Sequence, residues 1–365
     1  MNKILLFGGS FDPIHNGHLA LANIAYHSLN IDECYFIIAK NPRWKEPTTT
    51  PNQRLEMLQK ALSPYPYFKI SLIEYNSEEE VNYTFDTINK LGNFENNKYY
   101  YLIGADQLDL LDKWYNIDKL SKMVQFVCYK RLNHQINEIN LKKYNCILLD
   151  NELFDISSTM IRNLEKLDTP KVVIDYIIDN NLYFMKKVKR LYSEKRFIHA
   201  LSVANLAYEI ALANKVDENK AFIAGLLHDM SKILSIEQSE ELINSRFKEV
   251  PSKVGKWAYH QFTGSYLAQV MFDVKDIDII NSIKYHSTGR ENMSKLEKII
   301  YCADKLDPTR GWDSSLLIEE CKKDIDQAFI QVLIDNIKYF RANNVNYSNE
   351  YTLKCFKYYL KEGDY

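Results

Sequence analysis

The segment Gly8-Gly9-Ser10-Phe11-Asp12-Pro13-Ile14-His15-Asn16-Gly17-His18 combines residue types suited to handling phosphate. Gly8 and Gly9 let a backbone approach a ligand closely, and with Ser10 and Phe11 they form a turn that would cradle nucleotide phosphates. His15 and His18 stand three apart where a helix would begin, and a helix start presents N–H groups to an anion. Ile156-Ser157-Ser158-Thr159-Met160-Ile161-Arg162 is a second segment of this kind. Ser158 or Thr159 can cap a helix, and the hydroxyls and N–H groups at that start suit phosphate oxygens. Arg162, about one turn along, can return to the same phosphates.

A different set lies in the second half. His199, His228, Asp229, His260, His286 and Asp304 fit one metal centre, because neutral imidazole and carboxylate together suit iron, manganese or zinc. A lone histidine on an apolar helix face is ordinarily a satisfied core residue. Here four of the eight histidines fall in this set. Their contexts are Arg196-Phe197-Ile198-His199, Leu227-His228-Asp229 with Lys232 three residues on, and Tyr285-His286-Ser287-Thr288-Gly289-Arg290; Ala303-Asp304-Lys305-Leu306-Asp307-Pro308 completes the pattern. Six ligands from five places in a helical bundle can hold two ions.

Two kinds of element must position these groups. Strand-like runs at Ile4–Phe7, Tyr35–Ala39, Phe68–Ile73, Tyr99–Ile103, Val124–Tyr129 and Cys146–Leu149 alternate with helical segments such as Gln53–Leu62 and Thr84–Leu91. That alternation implies a doubly wound, mostly parallel sheet with helices on both faces, with its ligand at the carboxyl ends of the strands. Beyond about residue 187 strand signals stop. Helices are expected over Ile198–Asn214, Ala221–Ile233, Gly264–Phe272, Ile277–Lys284, Lys295–Leu306 and Ile318–Phe340. His199, Val203, Leu206 and Ile210 share one face of the first of these. The fold class is therefore α/β followed by all-α: a Rossmann-like domain over 1–186 and a helical domain over 187–365. The junction Met185-Lys186-Lys187-Val188-Lys189-Arg190 is short and basic, unlike a long flexible tether.

Composition sets the outer limits. The 365 residues suit two domains, and 46% hydrophobic with 26% charged content is ordinary for a globular chain. A net charge of −2 and a pI of about 6.5 argue against coating long nucleic acid, but not against small nucleotides in a local pocket. No apolar run approaches the roughly 18 residues that span a membrane. The first strand begins too early to leave room for a signal peptide. Six scattered cysteines without a Cys-x-x-Cys pair read as reduced thiols, so a cytoplasmic location is expected.

The opening motif resembles the His-x-Gly-His nucleotidyltransferase superfamily. Residues 1 to about 185 are similar to bacterial nicotinate-nucleotide adenylyltransferases. Asn82-Tyr83-Thr84-Phe85-Asp86-Thr87 resembles the family's element near the pyridine, Leu102-Ile103-Gly104-Ala105-Asp106 its Gly-x-Asp strand end, and Trp114-Tyr115 its Trp-Tyr pair. Val173 to Tyr183 resembles its closing helix. The resemblance implies transfer of AMP from ATP, with Mg2+, to nicotinate mononucleotide. It gives catalytic parts to His15, His18 and Arg162. It implies nucleotide contacts for Gly8, Gly9, Ser10, Phe11, Lys45, Thr84, Asp86, Gly104, Asp106, Ser157, Ser158 and Thr159, and stacking of Trp114 on the nicotinate ring. Lys45 and Arg54 would bring positive charge toward phosphates. The family often carries Pro-Pro-His-Lys where this chain has Pro42-Arg43-Trp44-Lys45, and Arg-Pro-Gly where it has Arg131-Leu132-Asn133. Both lie on the acceptor side and leave nicotinamide mononucleotide as an alternative. Pantetheine-phosphate adenylyltransferase usually has threonine at the position of His15 and lysine at that of Arg162.

Residues 188 to about 360 resemble the HD-superfamily phosphohydrolases, most closely the YqeK-like bacterial hydrolases that split diadenosine tetraphosphate symmetrically. The resemblance implies that His199, His228, Asp229 and Asp304 bind one ion, and that Asp229 bridges to a second held by His260 and His286. Iron comes first among the candidate ions, with manganese and zinc behind it. Asp229 and Lys232 take catalytic parts, and Arg196, Arg290 and Arg310 are candidates for the remaining phosphates. The expected ligands are thus ATP, nicotinate mononucleotide and diadenosine tetraphosphate, with no membrane and no long nucleic acid, and with a homo-oligomer left open. A nucleotide phosphatase, or a non-catalytic metal- or nucleotide-binding regulator, is the alternative for the helical half.

Overall fold

A computed structural model describes residues 1–42, 46–79 and 81–361. The chain forms two compact units: Met1–Arg162 with Asp168–Tyr183, and Asn163–Leu167 with the chain from Phe184 onward.

In the first unit six strands form one sheet in the order β3-β2-β1-β4-β5-β6. They are β1 (Asn2–Gly9), β2 (Glu33–Ile38), β3 (Phe68–Ser71), β4 (Asn97–Gly104), β5 (Val124–Tyr129) and β6 (Ile147–Leu148), and every pairing is parallel. Leu5, Leu6 and Phe7 of β1 and Phe36, Ile37 and Ile38 of β2 are all buried. Cover on both faces explains why these strands read as continuous apolar runs. Strand order runs one way from β1 to β3 and the other way from β4 to β6, so β1 and β4 flank the switch point where such sheets bind ligands. The β1–β2 pairing continues to Gly9 opposite Ile38, whereas β1–β4 ends at Leu6 opposite Tyr101. The strands part after Leu6, just ahead of the phosphate motif that begins at Gly8. A Cβ on Gly8 would collide with the Tyr101 hydroxyl, so only glycine lets that hydroxyl lie over the backbone. Helices α1 (Asn16–Ser28), α2 (Pro51–Leu62), α3 (Thr84–Leu91) and α4 (Ser158–Asn163) bear on the site.

The second unit has helices and no strand among its described residues. Its main helices are α5 (Glu194–Ala213), α6 (Glu218–Leu227), α7 (Ile236–Arg246), α8 (Tyr259–Phe272), α9 (Ile277–Lys284), α10 (Lys295–Leu306), α11 (Ser315–Lys323) and α12 (Ile325–Ala342). A Cβ on Gly225 would lie 2.7 Å from Ala204 Cα, so glycine permits the close crossing of α5 and α6. Two expected helices are interrupted. Ala221–Ile233 breaks at the His228-Asp229 pair, where α6 stops at Leu227 and a 3-10 turn covers Met230–Ile233. Ile318–Phe340 breaks at Asp324, whose carboxylate caps α12 by accepting from the N–H of Asp326 at 2.9 Å and of Gln327 at 3.2 Å. All six cysteines are free thiols. Among the described residues no helix is long and apolar enough to cross a membrane.

Candidate active sites

In the first unit the sheet's switch point opens into a cleft of about 400 Å3. Gly8, Gly9, Ser10 and Phe11 line it, as do His15 and His18. Ser157, Ser158, Thr159 and Arg162 come in from α4, and Asp106 and Arg131 from the ends of β4 and β5. Both sequence segments chosen for phosphate chemistry therefore meet in one place. His15 caps α1, and its Nδ1 accepts the His18 N–H, while His18 Nδ1 accepts the His15 N–H. With both Nδ1 atoms accepting, the neutral rings carry their protons on Nε2. Burial first, then the nearby charges of His18 and Arg131, hold His15 well below the usual imidazole range, so it is neutral at pH 7.

A buried carboxylate ties the turn together. Asp12 accepts from the Thr48 N–H at 2.8 Å and hydroxyl at 3.0 Å, from the Thr49 hydroxyl, and from the Tyr183 hydroxyl at 2.7 Å. The Asp12 carbonyl accepts Arg162 Nη1 at 2.7 Å, and Thr159 Oγ1 accepts Arg162 Nη2 at 2.8 Å. The cap of α4 is Ser157, whose hydroxyl accepts the Met160 N–H at 3.2 Å. Ser158 and Thr159 were the expected caps, but Ser158 instead donates to the Pro13 carbonyl at 2.8 Å.

In the second unit the six residues expected to ligate metal converge. His199, His228 and Asp229 form one group of ligand atoms within 4.8 Å of one another, and Asp229, His260 and His286 form another. Asp304 Oδ1 joins the first, 3.3 Å from His199 Nε2 and 3.7 Å from His228 Nε2. Asp229 Oδ1 lies 3.4 Å from His260 Nε2 and 3.5 Å from His286 Nε2, while its Oδ2 faces His228 and His199 at 3.6 and 4.0 Å. Beside His260 a cleft of about 260 Å3 is lined by Arg196, Lys232, Lys256 and Trp257 among others.

Comparison with known proteins agrees with this division. Residues 6–164 match a cytidylyltransferase-like family and residues 196–309 an HD domain family. A protein of Mycoplasma genitalium described as a probable nicotinate-nucleotide adenylyltransferase/Ap4A hydrolase is 33% identical over 91% of this chain and 97% of its own. The chain belongs to that fused adenylyltransferase/hydrolase family. A relative of the same description from Mycoplasma pneumoniae is 32% identical over 93% of this chain and 100% of its own. A crystal structure from Clostridium acetobutylicum, titled a predicted HD superfamily hydrolase involved in NAD metabolism, is 30% identical. It covers 52% of this chain and 95% of its own, with a TM-score of 0.42.

The hydrolase half of this fused family carries a donor set that fits divalent metal. His228, His260 and His286 each pair Nδ1 with the carbonyl three residues earlier, at Gly225, Trp257 and Ile283. The proton then sits on Nδ1, and each Nε2 lone pair faces the cluster. His260 Nε2 and His286 Nε2 lie 3.2 Å apart, two acceptors directed at one region. His228 Nε2 and Asp229 Oδ1 are buried without a hydrogen-bond partner. Such groups are costly unless something cationic satisfies them. Burial dominates at both His228 and His260 and, against the opposing pull of Asp229, lowers them to about 4 and about 3. For Asp229 and Asp304 burial alone would raise the carboxyl, but His228, His286 and Lys232 around the first and Lys305, His199, His228 and Arg310 around the second hold both well below the usual range. Neutral imidazole beside ionised carboxylate is the protonation state that metal binding needs. His199 differs: burial would lower it, but Asp304 and Asp307 outweigh that and raise it to about 9. Asp307 Oδ2 lies 2.5 Å from His199 Nδ1, the carboxylate–histidine arrangement that orients a ligating imidazole.

Not every expected residue reaches these sites. Arg290 donates through Nε and Nη2 to Glu297 at 2.7 and 2.8 Å, and Glu297 is 1% exposed. Its guanidinium therefore anchors the start of α10. Arg54 is fully buried and donates to the carbonyls of Ser10, Ala39 and Lys40, bracing the strand ends. Lys45 lies outside the described residues. Gly104 ends β4 and is not among the residues lining the cleft; a Cβ there would run into the Asp106 carboxylate. Thr84 begins α3, with Asp86 in the same first turn. The Trp114 indole packs edge-on against Tyr101 and Phe126, each with centroids 6.1 Å away, and keeps part of its surface exposed. Arg196 donates to the Lys232 carbonyl, Lys232 to Asp229, and Arg310 to Asp304. Sequence reading singled out neither Asp12 as the hub of its turn nor Lys256 and Trp257 beside the metal cluster. Asp12 stood inside the quoted motif, and a basic-aromatic pair three to four residues before His260 was the available signal for the other two.

Proposed function

We propose that the first unit transfers AMP from Mg–ATP to nicotinate mononucleotide, giving nicotinate adenine dinucleotide and pyrophosphate. The observation that carries this reading is the meeting of the Gly8–His18 turn with Ser157–Arg162 in one cleft. A phosphate oxygen of the mononucleotide attacks the α-phosphorus of ATP, and the bond to the β-phosphate breaks in line. His15 and His18 donate from Nε2 to the charge that builds on the phosphate oxygens. Arg162 adds positive charge, anchored by the Asp12 carbonyl and Thr159 while keeping donors to spare. Tyr101, over Gly8 and packed edge-on against Trp114, supports a pyridine side next to β1. Nicotinate is favoured over nicotinamide on the family resemblance. Assays with ATP and each mononucleotide, with products identified by mass, test the reaction and the choice of pyridine; no dinucleotide from either would overturn the reading.

The second unit hydrolyses diadenosine tetraphosphate to two ADP in this reading, which rests on Asp229 serving both ligand groups. His199, His228, Asp229 and Asp304 would hold one ion and Asp229, His260 and His286 a second, with iron ahead of manganese or zinc. Bound ions of this kind supply positive charge to phosphate oxygens and acidify water. Lys232, 2.7 Å from Asp229 Oδ2, and Arg196 place cations where the polyphosphate would enter. Water adds to one inner phosphorus, and the bridge between the two inner phosphates breaks. Mass analysis of products made in 18O-water tests this. AMP plus ATP in place of two ADP would refute symmetrical cleavage, and metal analysis of the same sample names the ion.

A further inference from the structure

We infer that Trp257 is a stacking platform for one purine of the dinucleotide cleaved at the metal cluster, and that this site does not read which purine it holds. The inference rests on the hydrolase reading above. Trp257 is 50% exposed, yet it lines the cleft that opens on His260. Its position is fixed from two sides. Its carbonyl pairs with His260 Nδ1 at 2.9 Å, so the platform and a ligand imidazole share one short stretch of backbone. The indole folds back over Gly255, where a Cβ would come within 2.9 Å of the ring. A large aromatic held in place and left half-exposed beside a reaction centre suits a flat ligand group.

Lys232 reaches the ligand Asp229 and Arg196 the Lys232 carbonyl, so both match phosphate, while Leu234 and Ile236 add apolar surface to the lining that Trp257 shares. Lys256, directly before Trp257, is paired with Glu240. The volume of about 260 Å3 suits one nucleoside and not a whole dinucleotide. Of the lining groups that could read a base edge, Lys256 is paired with Glu240, Lys232 with Asp229 and the Ser231 hydroxyl with the His260 carbonyl, and no Asn, Gln, Asp or Glu lines the cleft among the described residues. Stacking, by contrast, accepts any base, because each has a π-face.

The test uses the full metal-loaded chain with Trp257→Ala and Trp257→Phe. Substrates are diadenosine tetraphosphate, diguanosine tetraphosphate and bis(p-nitrophenyl) phosphate, which has no base. Trp257→Ala is expected to raise KM for the adenine dinucleotide roughly tenfold relative to its effect on the aryl ester. Trp257→Phe should restore most of that, and the guanine dinucleotide should turn over within a few-fold of the adenine one. An unchanged KM in Trp257→Ala, or equal losses on dinucleotide and aryl ester, overturns the platform. Strong discrimination between the purines overturns its indifference to the base. If the unsubstituted chain cleaves the aryl ester but no dinucleotide, the hydrolase reading fails instead. ADP binding then decides the platform alone: the indole quenching of the unsubstituted chain should exceed that of Trp257→Phe, and equal quenching in the two overturns it.

Discussion

His15 and His18 cap the start of α1 for one another: each Nδ1 accepts the other's backbone N–H, at 3.3 and 3.2 Å. The rings stack with centroids 3.6 Å apart. The same bonds that start the helix fix the tautomers, so capping and phosphate donation are one arrangement. Substitution can separate them. His18→Ala removes a donor and half the cap, and kcat for adenylyl transfer should fall by about 10²–10³. His15→Asn keeps a capping side chain but loses the Nε2 donor. It should lose comparable activity with little of the roughly 1 kcal/mol that a missing cap costs. Steady-state kinetics and thermal unfolding check the pair. Full activity in His18→Ala would contradict the donor role.

The depressed basicity of His15 has a consequence for stability. Burial lowers its folded value below that of the unfolded chain, which is about 6.5. As pH falls, the unfolded chain takes up this proton first. The contribution is therefore full above about pH 6.5 and shrinks as pH drops toward the folded value. An NMR titration should find the His15 imidazole neutral through pH 6.5 in the ligand-free chain. The thermal midpoint of the first unit should fall less steeply between pH 7.5 and 5.5 in His15→Asn. A His15 that titrates at its ordinary value would refute the assignment.

What could be read in advance follows from how local each signal is. β1, β2, β4 and β5 announced themselves because burial on both faces leaves a nearly unbroken apolar run, whereas the edge strands β3 and β6 are only partly buried. The metal set showed because each ligand sits in a short string with its own neighbours. Arginine roles were less legible. Arg290 is claimed by Glu297, seven residues on, and Arg54 by carbonyls on two strand ends. Charge alone does not distinguish an arginine that braces backbone from one that meets phosphate. The break at Asp324 was missed for a similar reason: an aspartate within an apolar-periodic run can be a surface residue or a cap.

Arg290 should accordingly behave as a structural residue. Its bidentate pairing satisfies a Glu297 carboxylate that also accepts the Ser294 N–H at 2.7 Å. Arg290→Ala leaves that buried carboxylate short of its partner, and the second unit should lose about 2 kcal/mol of stability. KM for dinucleotide should change little at temperatures where the variant is folded. A large rise in KM without a change in melting would restore Arg290 to the phosphate site.

Tyr183 is the distant support of the phosphate turn. Its hydroxyl donates to the Asp12 carboxylate, and Asp12 also holds Thr48 and Thr49 while its carbonyl holds Arg162. Tyr183→Phe removes one of the carboxylate's donors and should cost about 1–2 kcal/mol. Because the loss is transmitted through the turn, kcat for adenylyl transfer should fall by severalfold while KM for ATP moves less. Hydrolysis in the second unit should be untouched. Equal effects on both activities would point to general destabilisation instead.

The shared carboxylate gives the sharpest contrast among the metal ligands. One oxygen of Asp229 faces His260 and His286, and the other faces His199 and His228. His286→Ala removes a ligand from one group only, so about one equivalent of metal should remain per chain. Asp229→Ala removes a ligand from both and should strip both ions together. Chelation of the unsubstituted chain should reproduce that loss and lower the melting temperature of the second unit, because bound metal stabilises the folded form alone. Adenylyl transfer, assayed with fresh Mg–ATP, should survive Asp229→Ala. If Asp229→Ala retained the metal content of His286→Ala, the two groups would not share this carboxylate, and a single-ion centre would have to replace the paired one.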